Sequence, residues 1–144
     1  MGRLASLRRL DPTERRLLAL AWILLVVAPL LLRVLPLPRL LAPRRGRQRP
    51  GLPPARVARL VEIAARRVPA SRCLPVALVT ARLLARQGTP ATLRIGVARY
   101  AGRLTAHAWL ERGGVPLLDA SEADGYMPIL GVAVAAASPR EALQ

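Results

Sequence analysis

The sequence predicts an α+β fold in which helices pack on a small antiparallel sheet, preceded by an N-terminal hydrophobic helical segment. Three observations lead to this fold class. An unbroken apolar run lies near the N-terminus, two segments between residues 56 and 87 have the apolar spacing of amphipathic helices, and short strand-like segments separated by glycine-containing turns follow Gly88. Helices followed by a run of strands are typical of an α+β domain.

The N-terminal segment, residues 1–41, is predicted to contain one long helix. Asp11 suits the N-cap, Pro12 suits the first helical position, and Glu14 occupies the position of a capping-box acid. The apolar run that follows, Leu17 to Leu32, is 16 residues long, whereas a membrane span needs about 20. Three interpretations therefore remain: a helix that packs on the domain or on a partner, a membrane-associated helix, and a secretory signal without a convincing cleavage site.

Residues 42–54 are rich in Pro, Gly and Arg, which predicts a linker between this segment and a domain at residues 55–144. The domain begins with helical spacing from Arg56 to Val68. A second helix is predicted from about Pro75 to Gln87, where Gly88 suits a C-terminal cap.

Beyond Gly88 the apolar period changes to that of strands. We expect strands at Thr92–Arg99, Leu104–Glu111 and Val115–Asp119, joined as an antiparallel meander. A further strand from Ile129 to Ala135 would complete the sheet.

The formal net charge is +15, from 23 basic and 8 acidic residues, which favours acidic partners such as an acidic peptide or anionic lipid. Nucleic-acid binding is disfavoured because the chain has no Phe, only two Tyr, no paired zinc ligands and no glycine-rich phosphate loop. With one Cys and one His, the chain cannot form an internal disulfide. We expect neither a cofactor nor a metal, and a cytoplasmic location with membrane association through residues 17–32 left open.

Cys73 and His107 are the candidate catalytic pair. Cys73 lies at the start of the helix predicted from about Pro75 to Gln87. Backbone N–H groups at a helix start are not paired within the helix, so they can stabilise a thiolate and donate hydrogen bonds to an oxyanion. His107 lies within a strand, and a three-residue loop at 112–114 would pair it with Asp119, which would then orient the imidazole. Glu111 and Asp124 are rival orienters, and a structural Cys and His remain an alternative.

The chain resembles the transglutaminase-like leader peptidases of lasso-peptide biosynthesis in four blocks. They are Pro12 to Leu18, Ser71-Arg72-Cys73-Leu74-Pro75, Ala91 to Val97, and Ala106-His107-Ala108-Trp109-Leu110-Glu111. This resemblance covers most of the chain and implies a papain/transglutaminase-like core with catalytic Cys73, His107 and Asp119. It also implies a cysteine protease that removes the leader from a lasso-peptide precursor.

Several partners follow from the resemblance. The precursor peptide is the substrate, and the chain looks like the split form of the family, which works with a separate leader-recognition protein. The lasso cyclase, which would join the freed core amine to a side-chain carboxyl group, is a further candidate partner. The remaining alternatives are a transglutaminase-like acyltransferase and a non-catalytic membrane-associated scaffold.

Overall fold

The computed structural model describes residues 9–42, 51–69, 72–117 and 123–134. Within these ranges lie four helices, α1 to α4, and four strands, β1 to β4. The helices are α1 (Pro12–Val34), α2 (Leu37–Leu41), α3 (Pro54–Ala65) and α4 (Cys73–Arg86). The strands are β1 (Ala91–Tyr100), β2 (Arg103–Arg112), β3 (Val115–Pro116) and β4 (Met127–Val134).

The start of α1 follows the sequence signals. Pro12 is its first residue, and the backbone N–H of Asp11 donates to Glu14 Oε2 at 3.1 Å, as a capping box requires. The other oxygen of Glu14 accepts from Arg56 Nε at 2.6 Å, which ties the first turn of α1 to the first turn of α3. The Arg56 hydrogen bond, together with that from Asp11, lowers the pKa of Glu14 from its ordinary value.

Helix α1 packs on the domain along one side. Ala21, Leu25 and Ala28 are buried there, against α3 and α4. Pro29 lies inside the helix without ending it. The interpretation of α1 as a helix that packs on the domain is therefore confirmed for the side of α1 that carries Ala21, Leu25 and Ala28.

Helices α3 and α4 supply most of the remaining core. Both are amphipathic, and each buries an apolar face, which includes Val57 and Val61 of α3 and Leu84 of α4. Helix α4 packs on β1 and β2, and Gly88, at φ +75°, starts the short reversal into β1. The predicted order of helices and strands is confirmed.

The sheet is antiparallel with the strand order β3-β2-β1-β4. Strands β1 to β3 form the predicted meander. Strand β4 returns to pair with β1 on its other side, with an irregularity between Ile95 and Gly96. The fourth strand begins at Met127, two residues before its predicted start.

The turn between β2 and β3 differs from the prediction. Arg112 pairs with Val115 and Glu111 with Pro116, so the loop has two residues, Gly113 and Gly114, with φ of +58° and +79°. Positive φ at both positions is typical of a type I′ turn, which matches the twist of the flanking strands. The predicted three-residue loop is therefore wrong, and the predicted pairing of β2 with β3 is shifted by one residue from the observed one.

Candidate active site

Cys73 is the first residue of α4 and is partly buried against the hydrophobic core. The first backbone hydrogen bond of the helix runs from the N–H of Val76 to the carbonyl of Arg72, so the N–H groups of Cys73 and Leu74 precede the helical ladder. The exposed Arg72 holds the N-cap position without capping the helix through its side chain. This helix end thus presents backbone donors and a positive dipole beside the thiol.

His107 projects from the face of the sheet opposite to α4. Its neighbours Ala108 and Leu110 belong to the core beneath the helices, and side chains alternate between the two faces of a strand. Its cross-strand partner is Gly96. We refer to this side of the sheet as the histidine face.

The histidine face holds Trp109 in a fixed position. Its indole N–H donates to Glu111 Oε1 at 2.9 Å, and Arg94 Nε donates to Glu111 Oε2 at 3.1 Å. The Trp109 ring covers Gly96, because a Cβ there would lie 2.8 and 2.9 Å from two of its carbons. Only 7% of Trp109 is exposed.

His107 contacts two aromatic rings on this face. The Trp109 ring is stacked at a centroid distance of 6.0 Å and an interplanar angle of 15°. The Tyr126 ring lies 5.2 Å away, tilted by 37°. Aromatic pairs at these distances are stabilising. The Trp109 and Tyr126 rings also contact each other, at a centroid distance of 6.5 Å, so the three rings form one cluster.

An open depression of about 350 Å³ continues the histidine face beyond Tyr126. Ala98 and Thr105, which are cross-strand partners, form part of its floor. Arg99, Asp124 and Tyr126 also line it. The depression offers space for a chain segment beside Tyr126, whose ring contacts His107.

The described residues place the predicted triad only in part. Cys73 packs on the helical side of the sheet, whereas His107 projects from the opposite side, so the described structure does not bring the two side chains together. Asp119 lies outside the described residues, and the register that paired it with His107 is wrong. Both oxygens of the rival Glu111 are engaged by Trp109 and Arg94. The other rival, Asp124, is exposed at the rim of the depression.

Sequence reasoning missed the aromatic surroundings of His107. Trp109 shares the face of His107 because it lies two positions further along β2, and this period-two spacing was visible in the sequence. Arg94 and Tyr126 had no comparable signal in the sequence. Arg94 reaches the site because β1 pairs with β2, and Tyr126 reaches it from the segment before β4. In the described ranges, no three His, Cys, Asp or Glu side chains lie close enough together to hold a metal ion.

A family model described as the transglutaminase-like superfamily matches residues 15–131. The chain belongs to the transglutaminase-like superfamily. Members of this superfamily are generally cysteine peptidases or acyltransferases, so the enzyme class expected from Cys73 and His107 holds at this level. The match confirms the predicted transglutaminase-like fold, and it begins within α1. Comparison with curated proteins gives no match, and comparison with solved structures gives none.

Proposed function

We propose that this transglutaminase-like protein is a cysteine protease that removes the leader from a lasso-peptide precursor. The single observation that carries the proposal is the position of Cys73, partly buried in the first turn of α4, where backbone N–H groups precede the helical ladder. The four sequence blocks that resemble leader peptidases support the substrate class. Two of those blocks contain Cys73 and His107.

The proposed chemistry passes through a thioester. The Cys73 thiol loses its proton to His107, and the sulfur attacks the scissile carbonyl. The backbone N–H groups at the start of α4 stabilise the resulting oxyanion. His107 then protonates the leaving amine, which is the N-terminus of the core peptide. Water, deprotonated by His107, hydrolyses the thioester and releases the leader as a carboxylate.

The proposed chemistry requires the Cys73 thiol and the His107 imidazole to come together. Helix α4, which begins at Cys73, packs on β2, which carries His107. Asp119 is proposed as the residue that orients His107, by family resemblance.

The partners are also proposals. A separate leader-recognition protein would deliver the precursor, and the freed core amine would pass to a separate lasso cyclase. A leader with acidic residues would be attracted by the net charge of +15. The depression beside Tyr126 is the candidate position for peptide residues next to the cleaved bond.

Cleavage of a precursor peptide in the presence of the recognition protein tests the proposal. Cys73→Ala should abolish cleavage while circular dichroism and binding to the recognition protein stay unchanged. Glu62→Gln, on the surface of α3 and outside the proposed site, is the control and should cleave at the wild-type rate. Cleavage by Cys73→Ala at the wild-type rate would overturn the proposal.

A second arm separates hydrolysis from acyl transfer. The same reaction is run with an added primary amine, and the leader product is weighed by mass spectrometry. A free carboxylate identifies a protease. A leader amide as the main product would identify an acyltransferase, and a Cys73-linked leader adduct would identify the thioester in either case.

A further inference from the structure

The outer side of α1 carries a continuous apolar surface. We define the outer stripe as its large exposed hydrophobic residues, namely Trp22, Ile23, Val26, Val27, Leu30 and Val34. At 3.6 residues per turn these positions fall on one side of the helix, opposite to the buried Ala21, Leu25 and Ala28. Between 37% and 72% of each stripe residue is exposed. Contiguous apolar surface of this kind marks an interaction site.

Exposed arginines lie at both ends of the outer stripe. Arg16 precedes it and Arg33 lies at its far end, and both fall on the same side of α1 as the stripe by helical periodicity. Their Cα atoms are roughly 26 Å apart along the helix axis, at 1.5 Å per residue. Long basic side chains at the two ends of an apolar stripe can reach lipid headgroups while the residues between them contact acyl chains.

We propose that α1 is an interfacial helix that docks the protein on an anionic lipid surface. The outer stripe would enter the boundary between headgroups and acyl chains, with Trp22 at the level preferred by indole rings. Arg16 and Arg33 would contact lipid phosphates. The inner side of α1 would remain packed on α3 and α4. The net charge of +15 complements an anionic bilayer.

The packing of α1 argues against a membrane span, although its length and composition allow one. Helix α3 lies alongside α1 and carries Arg59, Glu62 and Arg66, which would enter the hydrocarbon together with it. Leaving α3 behind would uncover the fully buried Val57 and Val61. A helix lying parallel to the surface keeps both the charged groups in water and the core intact.

A second copy of the chain fits the outer stripe less well. An antiparallel pair of α1 helices would bring Arg16 of one copy next to Arg33 of the other. Two chains of net charge +15 also repel each other. A lipid surface supplies apolar contact and negative charge together, and a single helix can embed its exposed side in it without a second protein helix.

Vesicle binding by the full chain tests the proposal. Flotation with vesicles of phosphatidylcholine and phosphatidylglycerol should show binding that weakens as salt is added, and phosphatidylcholine alone should bind less. Ile23→Ser with Val26→Ser should weaken partitioning on the order of tenfold or more. Leu104→Ser with Val115→Ser, which changes two apolar residues on the sheet that are more exposed than Ile23 and Val26, should leave partitioning unchanged.

The arginines are tested in the same way. Arg16→Gln with Arg33→Gln should weaken binding to the anionic vesicles by about fivefold for each arginine. The control, Arg86→Gln with Arg103→Gln, removes the same charge from exposed positions elsewhere. An equal loss of vesicle binding in the control would show that binding depends on the net charge of the chain and not on the arginines of α1, which would overturn the proposal.

A spectroscopic arm keeps the proposal testable in the wild-type chain. Brominated acyl chains should quench Trp22, which is 48% exposed, whereas Trp109 is 7% exposed. Alkaline carbonate should release the protein from the vesicles. Resistance to carbonate would establish a span instead. If Trp22 is not quenched, or if the wild-type chain forms a dimer that is lost in the Ile23→Ser, Val26→Ser variant, protein rather than lipid covers the outer stripe, and the proposal is wrong.

Discussion

Trp109 and Glu111 lie two residues apart on β2 and are joined by a hydrogen bond of 2.9 Å from the indole N–H to Oε1. The other carboxylate oxygen accepts from Arg94. Glu111 thus holds the ring that stacks on His107. This assigns Glu111 a positioning role and weakens it as a rival to Asp119 for orienting the imidazole.

We therefore expect Asp119→Asn to reduce kcat for precursor cleavage far more than Glu111→Gln does. Loss of a correctly oriented base costs on the order of a hundredfold or more. Glu111→Gln keeps one acceptor for Trp109 and should lower the melting temperature more clearly than kcat. Steady-state cleavage and thermal melts of both variants check this. The opposite order of kcat values would move the orienting role to Glu111.

Gly96→Ala should displace the Trp109 ring. The added Cβ would lie 2.8 Å from the ring and 3.0 Å from the carbonyl oxygen of Met127. Overpacking of this kind costs roughly 1–3 kcal/mol of unfolding free energy. In a double-mutant cycle, Trp109→Ala should remove most of the cost of Gly96→Ala. Additive costs would contradict the contact.

The Glu14–Arg56 pair should make stability depend on pH in the acid range. Hydrogen bonds from Arg56 and Asp11 lower the pKa of Glu14 from its ordinary value of 4.5. A carboxyl group whose pKa is lowered by folding stabilises the folded state above the unfolded-state pKa, and this contribution is lost as the pH falls through the folded-state pKa. The melting-temperature difference between wild type and Glu14→Gln should therefore be largest near neutral pH and vanish at strongly acid pH.

Glu62→Gln is the control for that titration. Its pairs with Arg59 and Arg66 are on the surface of α3, where such pairs contribute only a few tenths of a kcal/mol, by order of magnitude. It should show a small difference at every pH. An equal or larger pH-dependent difference for Glu62→Gln would contradict the special role of Glu14.

The turn at Gly113 and Gly114 sets the register of β3. Gly113→Asn should be tolerated, because Asn adopts positive φ in a type I′ turn. Gly114→Val should destabilise the domain by about 1–2 kcal/mol, since a β-branched residue is strained in the left-handed region. Denaturant unfolding of both variants measures the difference. Equal stability would mean that another turn type forms.

The sequence predicted the helices and strands better than the way in which they meet. Capping signals at Asp11 and Glu14, and apolar spacing in α3 and α4, depend on near neighbours along the chain. Strand register depends on the conformation of a few turn residues, and counting Arg112 as part of the loop moved every β2–β3 pair by one. The support for Asp119 therefore rests on family resemblance. The contacts of Arg94 and Tyr126 with the histidine face required the fold itself.

The way in which α1 packs has a practical consequence for handling the protein. An apolar N-terminal helix invites deletion to improve solubility, but here its inner side covers part of the core contributed by α3 and α4. A chain shortened to begin after Val34 would present that core to water and lose the partner of Arg56. Replacing residues of the outer stripe by polar ones is the better route to a soluble, folded sample.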